Sequence, residues 1–133
     1  MTLYLVKFYN EHYTWYKRGH TKYHDPLKGR YGDHYLWSQG VKIELLAKQI
    51  FSHDKWIVAK TMAETAEHLM NCTWPCKNDP DIRIEERLQV QEFDGMLDGA
   101  TEFIYLKEGQ SEQDIIDHFE QCTNDLWKVG NKL

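Results

Sequence analysis

Several side chains in this 133-residue chain stand at spacings that suit chemistry on a phosphate ester. Hydrolysing a phosphodiester needs a positioned water, a group to take its proton, and cation density where charge builds on phosphorus. Arg30 and His34 lie one helical turn apart, so both can face one phosphate if the segment is helical. Arg30 is permanently charged and can grip phosphate oxygens with two parallel hydrogen bonds, which suits it to transition-state stabilisation. A single carboxylate on a helix can hold Mg²⁺ (or Mn²⁺), which keeps most of its waters and takes the substrate phosphate as a further ligand. Glu64 and Glu67 both offer that carboxylate. Tyr4 and Tyr16 are the phenols that could orient or deprotonate the water. Each residue also has a plainer reading: Tyr4 as a half-buried strand aromatic, Arg30 and His34 as a solvated helix face.

Charge separates along the chain. Residues 1–60 carry ten Lys and Arg against five acids, a net of +5, whereas residues 61–133 carry six against sixteen, a net of −10. A polyanion would meet the first half, because lysines and arginines that neutralise phosphates release condensed counterions. DNA is the expected partner, with Arg18, His20, Lys22, Lys28 and Lys42 as candidate contacts. The same half interleaves its cations with Tyr13, Trp15, Tyr16, Tyr23, Tyr31, Tyr35 and Trp37, a mixture that suits base stacking beside phosphate contacts and equally suits a strand-helix core. The acidic half can also be read as keeping the protein soluble, or as binding a host protein.

The elements that must position these residues follow from local pattern. Leu3–Tyr9 and Tyr13–Lys17 read as an antiparallel hairpin turning at Asn10–His12 and ending at Gly19. Asp25-Pro26 suits an N-cap and first-turn proline, opening a helix towards Trp37. Val41–Phe51 reads as a third strand. Asp54 is the expected cap of a helix over 55–71, with Ile57, Val58, Met62, Ala66, Leu69 and Met70 on its apolar face. Residues 82–93 mix both periods, 101–106 read as a short strand, and Ser111-x-x-Asp114 opens a last helix with Ile115, Ile116, Phe119 and Leu126 inward. The expected fold is one α+β domain over 1–133: a three-stranded antiparallel sheet flanked by helices, with a C-terminal β-α extension.

No run approaches the ~20 apolar residues of a membrane span, and no secretory leader pattern opens the chain. Three cysteines, an odd number, fit a reducing cytoplasm, of a host cell if the chain is phage-encoded. His68, Cys72 and Cys76 put metal-capable groups in one line, with Cys122 as a fourth. Cys-x₃-Cys across Trp74-Pro75 with no second ordered pair is a thin zinc pattern, so buried free thiols are the expectation.

Tyr4 in LYLV, Lys17-Arg18-Gly19-His20-Thr21, Arg30 in PLKGRYGDH and Glu64 followed by His68 together resemble the GIY-YIG nuclease superfamily. The similarity is to its phage-type branch, whose second motif begins with Lys, and Gly99-Ala-Thr101-Glu102-Phe103 is similar to a late segment of that branch. The resemblance spans residues 3–106. It implies a GIY-YIG-like sheet and a Mg²⁺-dependent DNA endonuclease with Tyr4, Tyr16, Lys17, Arg30 and His34 at the reacting phosphate. The Glu64-x₃-His68 spacing makes Glu64 rather than Glu67 the metal ligand. The first motif here is Leu-Tyr-Leu, and Tyr16 is displaced by one from the second; either Tyr16 supplies the second phenol or that role is absent. The alternative functions are a catalytically weak or inert nucleic-acid-binding module on the same scaffold and a host-takeover factor acting by protein interaction; convergence of Tyr4, Arg30 and Glu64 on one cleft separates the enzyme from the binding module.

Overall fold

A computed structural model describes residues 1–11, 14–29, 40–73, 106 and 109–130. Three strands, β1 (Thr2–Tyr9), β2 (Thr14–Thr21) and β3 (Lys42–Ile50), form an antiparallel sheet in the order β2-β1-β3. The hairpin and the third strand are therefore those expected from the sequence, with the hydrophobic β1 in the centre. Its register pairs Tyr4 with Gly19, Leu5 with Arg18 and Val6 with Lys17 on one side. On the other side it pairs Leu5 with Ala47 and Val6 with Leu45, so Leu46 bulges out. One expectation is corrected here: β2 does not end at Gly19 but continues to Thr21.

Three helices are described: α1 (Pro26–Gly29), α2 (Trp56–Thr73) and α3 (Glu112–Gly130). Asp25 caps α1 as expected, its Oδ1 accepting from the amides of Leu27 at 3.1 Å and Lys28 at 3.3 Å. Ser111 and Asp114 cap α3 reciprocally: Ser111 Oγ accepts from the Asp114 amide, and Asp114 Oδ2 accepts from the Ser111 amide at 2.8 Å. Asp54 does not cap α2. The ring of His53 instead takes the Lys55 amide on Nδ1 at 3.0 Å, and the first helical bonds run to the Lys55 carbonyl.

One face of the sheet and the two long helices share a core. Leu3, Leu5 and Tyr16 from the sheet meet Ala59, Met62, Ala63, Ala66 and Met70 of α2, and Ile115, Phe119 and Cys122 of α3. The α2 stripe at 59, 62/63, 66 and 70 keeps the 3.6-residue period but is rotated from the expected one. Ile57 and Leu69, expected inside, are 64% and 39% exposed. Small alanines on the inner stripe let α2 approach the strands closely, and the bulkier Ile57 and Leu69 are left outside. The inner positions of α3 are as expected, with Ile116 and Leu126 packed at the edge of the core. No helix among the described residues is long and apolar enough to cross a membrane. The expected end of the first helix, the segment 82–93 and the strand over 101–106 lie outside the described residues.

Candidate nucleic-acid interface

Strand alternation sorts the candidate residues into two groups. Leu3, Leu5 and Tyr16 point at the helices, so Arg18 and His20, spaced by two from Tyr16, do so as well. Tyr4, Lys17 and Gly19 occupy the opposite face.

On that opposite face Tyr4 lies across Gly19. A β-carbon on Gly19 would stand 2.5 Å from the Tyr4 hydroxyl and 3.1 Å from Lys17 Nζ, so phenol and ammonium converge on one point above the glycine. Lys17 Nζ sits 5.8 Å from the centre of the Tyr4 ring. Both side chains are buried, at 1% and 4% exposure. Arg30 and His34, the other members of this set, lie outside the described residues.

On the helix side, Arg18 is 1% exposed and donates from Nη1 to the Met70 carbonyl at 3.0 Å. Met70 is in the last turn of α2, where carbonyls lack helical partners and the dipole favours a cation. Arg18 is thus built into the helix terminus and is not presented to a phosphate. His20 donates from Nδ1 to Glu67 Oε2 at 2.6 Å, and its Nε2 is 3.8 Å from Glu64 Oε1. Glu67 is buried, while Glu64 is exposed and lies 3.7 Å from Lys60 Nζ. The second carboxylate, set aside on the sequence, is therefore the one that holds His20. An exposed pair one turn apart contributes only about 0.3–0.5 kcal/mol, so Lys60 does not lock Glu64 in place.

Tyr16 is 5% exposed, and burial first, then Glu112 and Glu44, push its phenol up to about 12. A phenol that holds its proton so firmly is a poor base at neutral pH. Being one residue from Lys17, it also faces away from Tyr4. Lys17, not Tyr16, is what the strand brings beside Tyr4, and the sheet separates Tyr4 from Glu64. Among the described residues no group of three or more His, Cys, Asp or Glu is placed to hold a metal ion. Glu64 with His20 alone does not make a Mg²⁺ site. His68 is exposed; Cys76 lies outside the described residues.

The remaining cations divide between the two ends of the sheet. At the end where Thr2 pairs with both Thr21 and Ile50, the chain leaves β2 through Lys22, Tyr23 and His24 and leaves β3 towards Lys55 and Trp56. Lys22, Lys28, Lys48 and Lys55 are all exposed there, as are Tyr23 at 45% and Trp56 at 54%. The segment is held in place: the Tyr23 amide donates to Thr21 Oγ1 at 3.4 Å, and Lys48 Nζ donates to the His24 carbonyl at 3.1 Å. Lys22 Nζ lies 5.5 Å from the Tyr23 ring centre. Asp25 is taken up by the α1 cap, leaving Asp54 as the other described acid in these segments. Lys42 is at the far end, roughly 23 Å away along seven strand steps. There it shares the Tyr9 ring with Lys7, and Lys7 pairs with Glu112 at 3.1 Å. Glu11 and Glu44 add to the acids of that end, so Lys42 does not belong to a basic surface.

Sequence reasoning named Lys22 and Lys28 but missed Lys48, Lys55 and Trp56. Exposed aromatics directly beside lysines, Lys22-Tyr23 and Lys55-Trp56, were the available signal. Comparison with known proteins adds nothing to this geometry: no family model, no curated protein and no solved structure matches the chain.

Proposed function

We propose that this chain is a nucleic-acid-binding module on a GIY-YIG-like scaffold, gripping DNA through the end of the sheet that carries Lys22, Lys28, Lys48 and Lys55. The observation that carries the reading is the gathering of four exposed lysines and two exposed aromatics, from separate segments, at one end of a rigid sheet. Surface lysines neutralise phosphates without needing a cleft, and the counterions they release drive association. Binding rather than cleavage is favoured because Tyr4 and Glu64 stand on opposite sides of the sheet, so one phosphate cannot touch both. The endonuclease reading keeps one observation in its favour, the meeting of the Tyr4 hydroxyl and Lys17 Nζ above Gly19.

Fluorescence anisotropy with labelled DNA tests the proposal. Affinity should fall steeply between 50 and 200 mM salt, with a logarithmic slope of about −0.9 per neutralised phosphate on duplex or about −0.7 on single strands. Charge reversal at Lys22, Lys28 and Lys48 together should weaken binding at least tenfold, and Lys42→Glu should not. Salt-independent binding, or none at 50 mM salt, sinks the proposal. Nicking of plasmid with Mg²⁺ or Mn²⁺ present, lost in Tyr4→Phe, transfers the case to the endonuclease.

A further inference from the structure

We infer that the occupant of this end surface is an unpaired strand, with bases stacked on Trp56 and Tyr23 and its backbone following the lysines between them. The inference rests on the binding proposal and adds the substrate class. Trp56 and Tyr23 are two of the four large hydrophobic side chains exposed among the described residues. A third, Ile57, adjoins Trp56 in sequence. Each ring stands directly beside a lysine in sequence, Tyr23 after Lys22 and Trp56 after Lys55. Tyr23 follows the end of β2 by two residues and Trp56 opens α2, six residues past the end of β3; β2 and β3 flank β1 and are themselves two strand spacings apart, roughly 10 Å. Phosphate-seeking cations and flat apolar rings thus alternate at one end of the sheet.

Stacking decides between unpaired and paired nucleic acid. In a duplex the base faces are covered by their neighbours, and a protein on the outside meets phosphates and groove edges. Lysines alone would serve that purpose, and an exposed tryptophan and tyrosine would add little. An unpaired strand has uncovered base faces, and an aromatic ring takes any of them without regard to sequence. Apolar contact with solvent at Trp56 and Tyr23 is relieved only by a ligand of that kind or by an apolar protein surface. The four lysines beside the rings favour the polyanion over a neutral apolar partner.

The experiment measures affinity for three labelled probes, a twelve-residue oligo-dT, a twelve-residue oligo-rU and a blunt 20-base-pair duplex, in the full chain. Oligo-dT and oligo-rU report whether DNA or RNA is preferred, and tight binding to either supports the inference. Trp56→Ala and Tyr23→Ala should each weaken binding to the preferred single strand by about 5- to 150-fold, the usual loss per stacked base. Binding to the duplex should stay within about twofold of wild type. Trp56→Phe should restore most of the loss, since it returns a ring. Ile57→Ala, at a neighbouring position still more exposed than Trp56, should leave all three affinities unchanged and so controls for a general loss of apolar surface. All three positions are exposed, and circular dichroism verifies that the four variants fold. Single-strand affinity unaltered by Trp56→Ala, or a duplex bound more tightly than both single strands, overturns the inference while leaving the binding proposal standing. Failure to bind any probe at 50 mM salt overturns both.

Discussion

Gly19→Ala is the sharpest probe of the face that carries Tyr4. Gly19 is not among the described glycines with positive φ, so alanine can adopt its backbone, and only space is in question. The added carbon would lie 2.5 Å from the Tyr4 hydroxyl, 2.7 Å from Cζ of the ring and 3.1 Å from Lys17 Nζ. Ordinary carbon contacts are about 3.5–4.0 Å, so the end of the ring must retreat by roughly 1 Å. Tyr4 is 1% exposed and has no solvent to move into, and overpacking of this kind costs about 1–3 kcal/mol. Alanine also restricts the unfolded chain, which returns about 0.4–1 kcal/mol. The clash wins, with a net loss of about 0.5–2 kcal/mol and a melting temperature lower by roughly 2–8 °C for a chain of this size. Thermal and urea unfolding followed by circular dichroism measure it. Tyr4→Phe in the same background should recover only part of the loss, because the hydroxyl leaves but Cζ at 2.7 Å stays. A Gly19→Ala protein as stable as wild type, or more so, would refute the placement of the ring across the glycine.

Two further predictions concern pH. Burial, then Glu112 and Glu44, raise the Tyr16 phenol from 10.0 to about 12, so the folded state retains a proton that the unfolded chain has already released. Its contribution is whole below pH 10 and is lost as pH rises towards 12; the urea midpoint of wild type should fall faster over that window than that of Tyr16→Phe, and parallel curves would refute the assignment. His118 is held below its ordinary 6.5 by burial and then by Arg18, while its Nε2 lies 2.6 Å from Thr73 Oγ1 and 3.7 Å from Cys122 Sγ. Its neutral form is the one the fold prefers, so stability is whole above pH 6.5 and declines as pH falls below it. His118→Gln should lose less stability than wild type between pH 7.5 and 5, and an equal loss would show that other groups govern the acid limb.

What was legible in the sequence was what local chemistry fixes. The hairpin, β3, the Asp25 and Ser111–Asp114 caps and the inner face of α3 all follow from neighbours within a turn or a strand. Long-range facts were not legible. Gly19 read as a strand end because glycine breaks local pattern, yet its role is to admit the Tyr4 ring from the paired strand, which only the register reveals. The α2 stripe was misplaced at Ile57 and Leu69 because hydrophobicity was weighed without size, and alanines form the closest contact. Arg18 read as a phosphate contact, although its even spacing from Tyr16 already assigned both to one face. The structure buries that face under helices. Asp54 does not cap α2, whose first helical bonds run to the Lys55 carbonyl, and nothing in the sequence distinguishes Asp54 from its neighbours on that point.

Alternation in β2 decides which of its cations the fold uses. Trp15, Lys17 and Gly19 take one face, while Tyr16, Arg18 and His20 take the other. Each residue on the helix side has a task that holds the sheet to the helices: Tyr16 in the core, Arg18 on the Met70 carbonyl, His20 on Glu67. A phosphate placed among them would have to break the Arg18 bond at the α2 terminus and draw His20 from a buried carboxylate. Breaking these contacts would leave the Met70 carbonyl and the largely buried Glu67 carboxylate without those partners, at a cost in stability. The lysines at the Thr21–Ile50 end face no such cost, because they are solvated before and after binding. Under the binding proposal, contacts there would be made without unfolding anything, whereas Lys17 and Arg18 of β2 are buried within the fold.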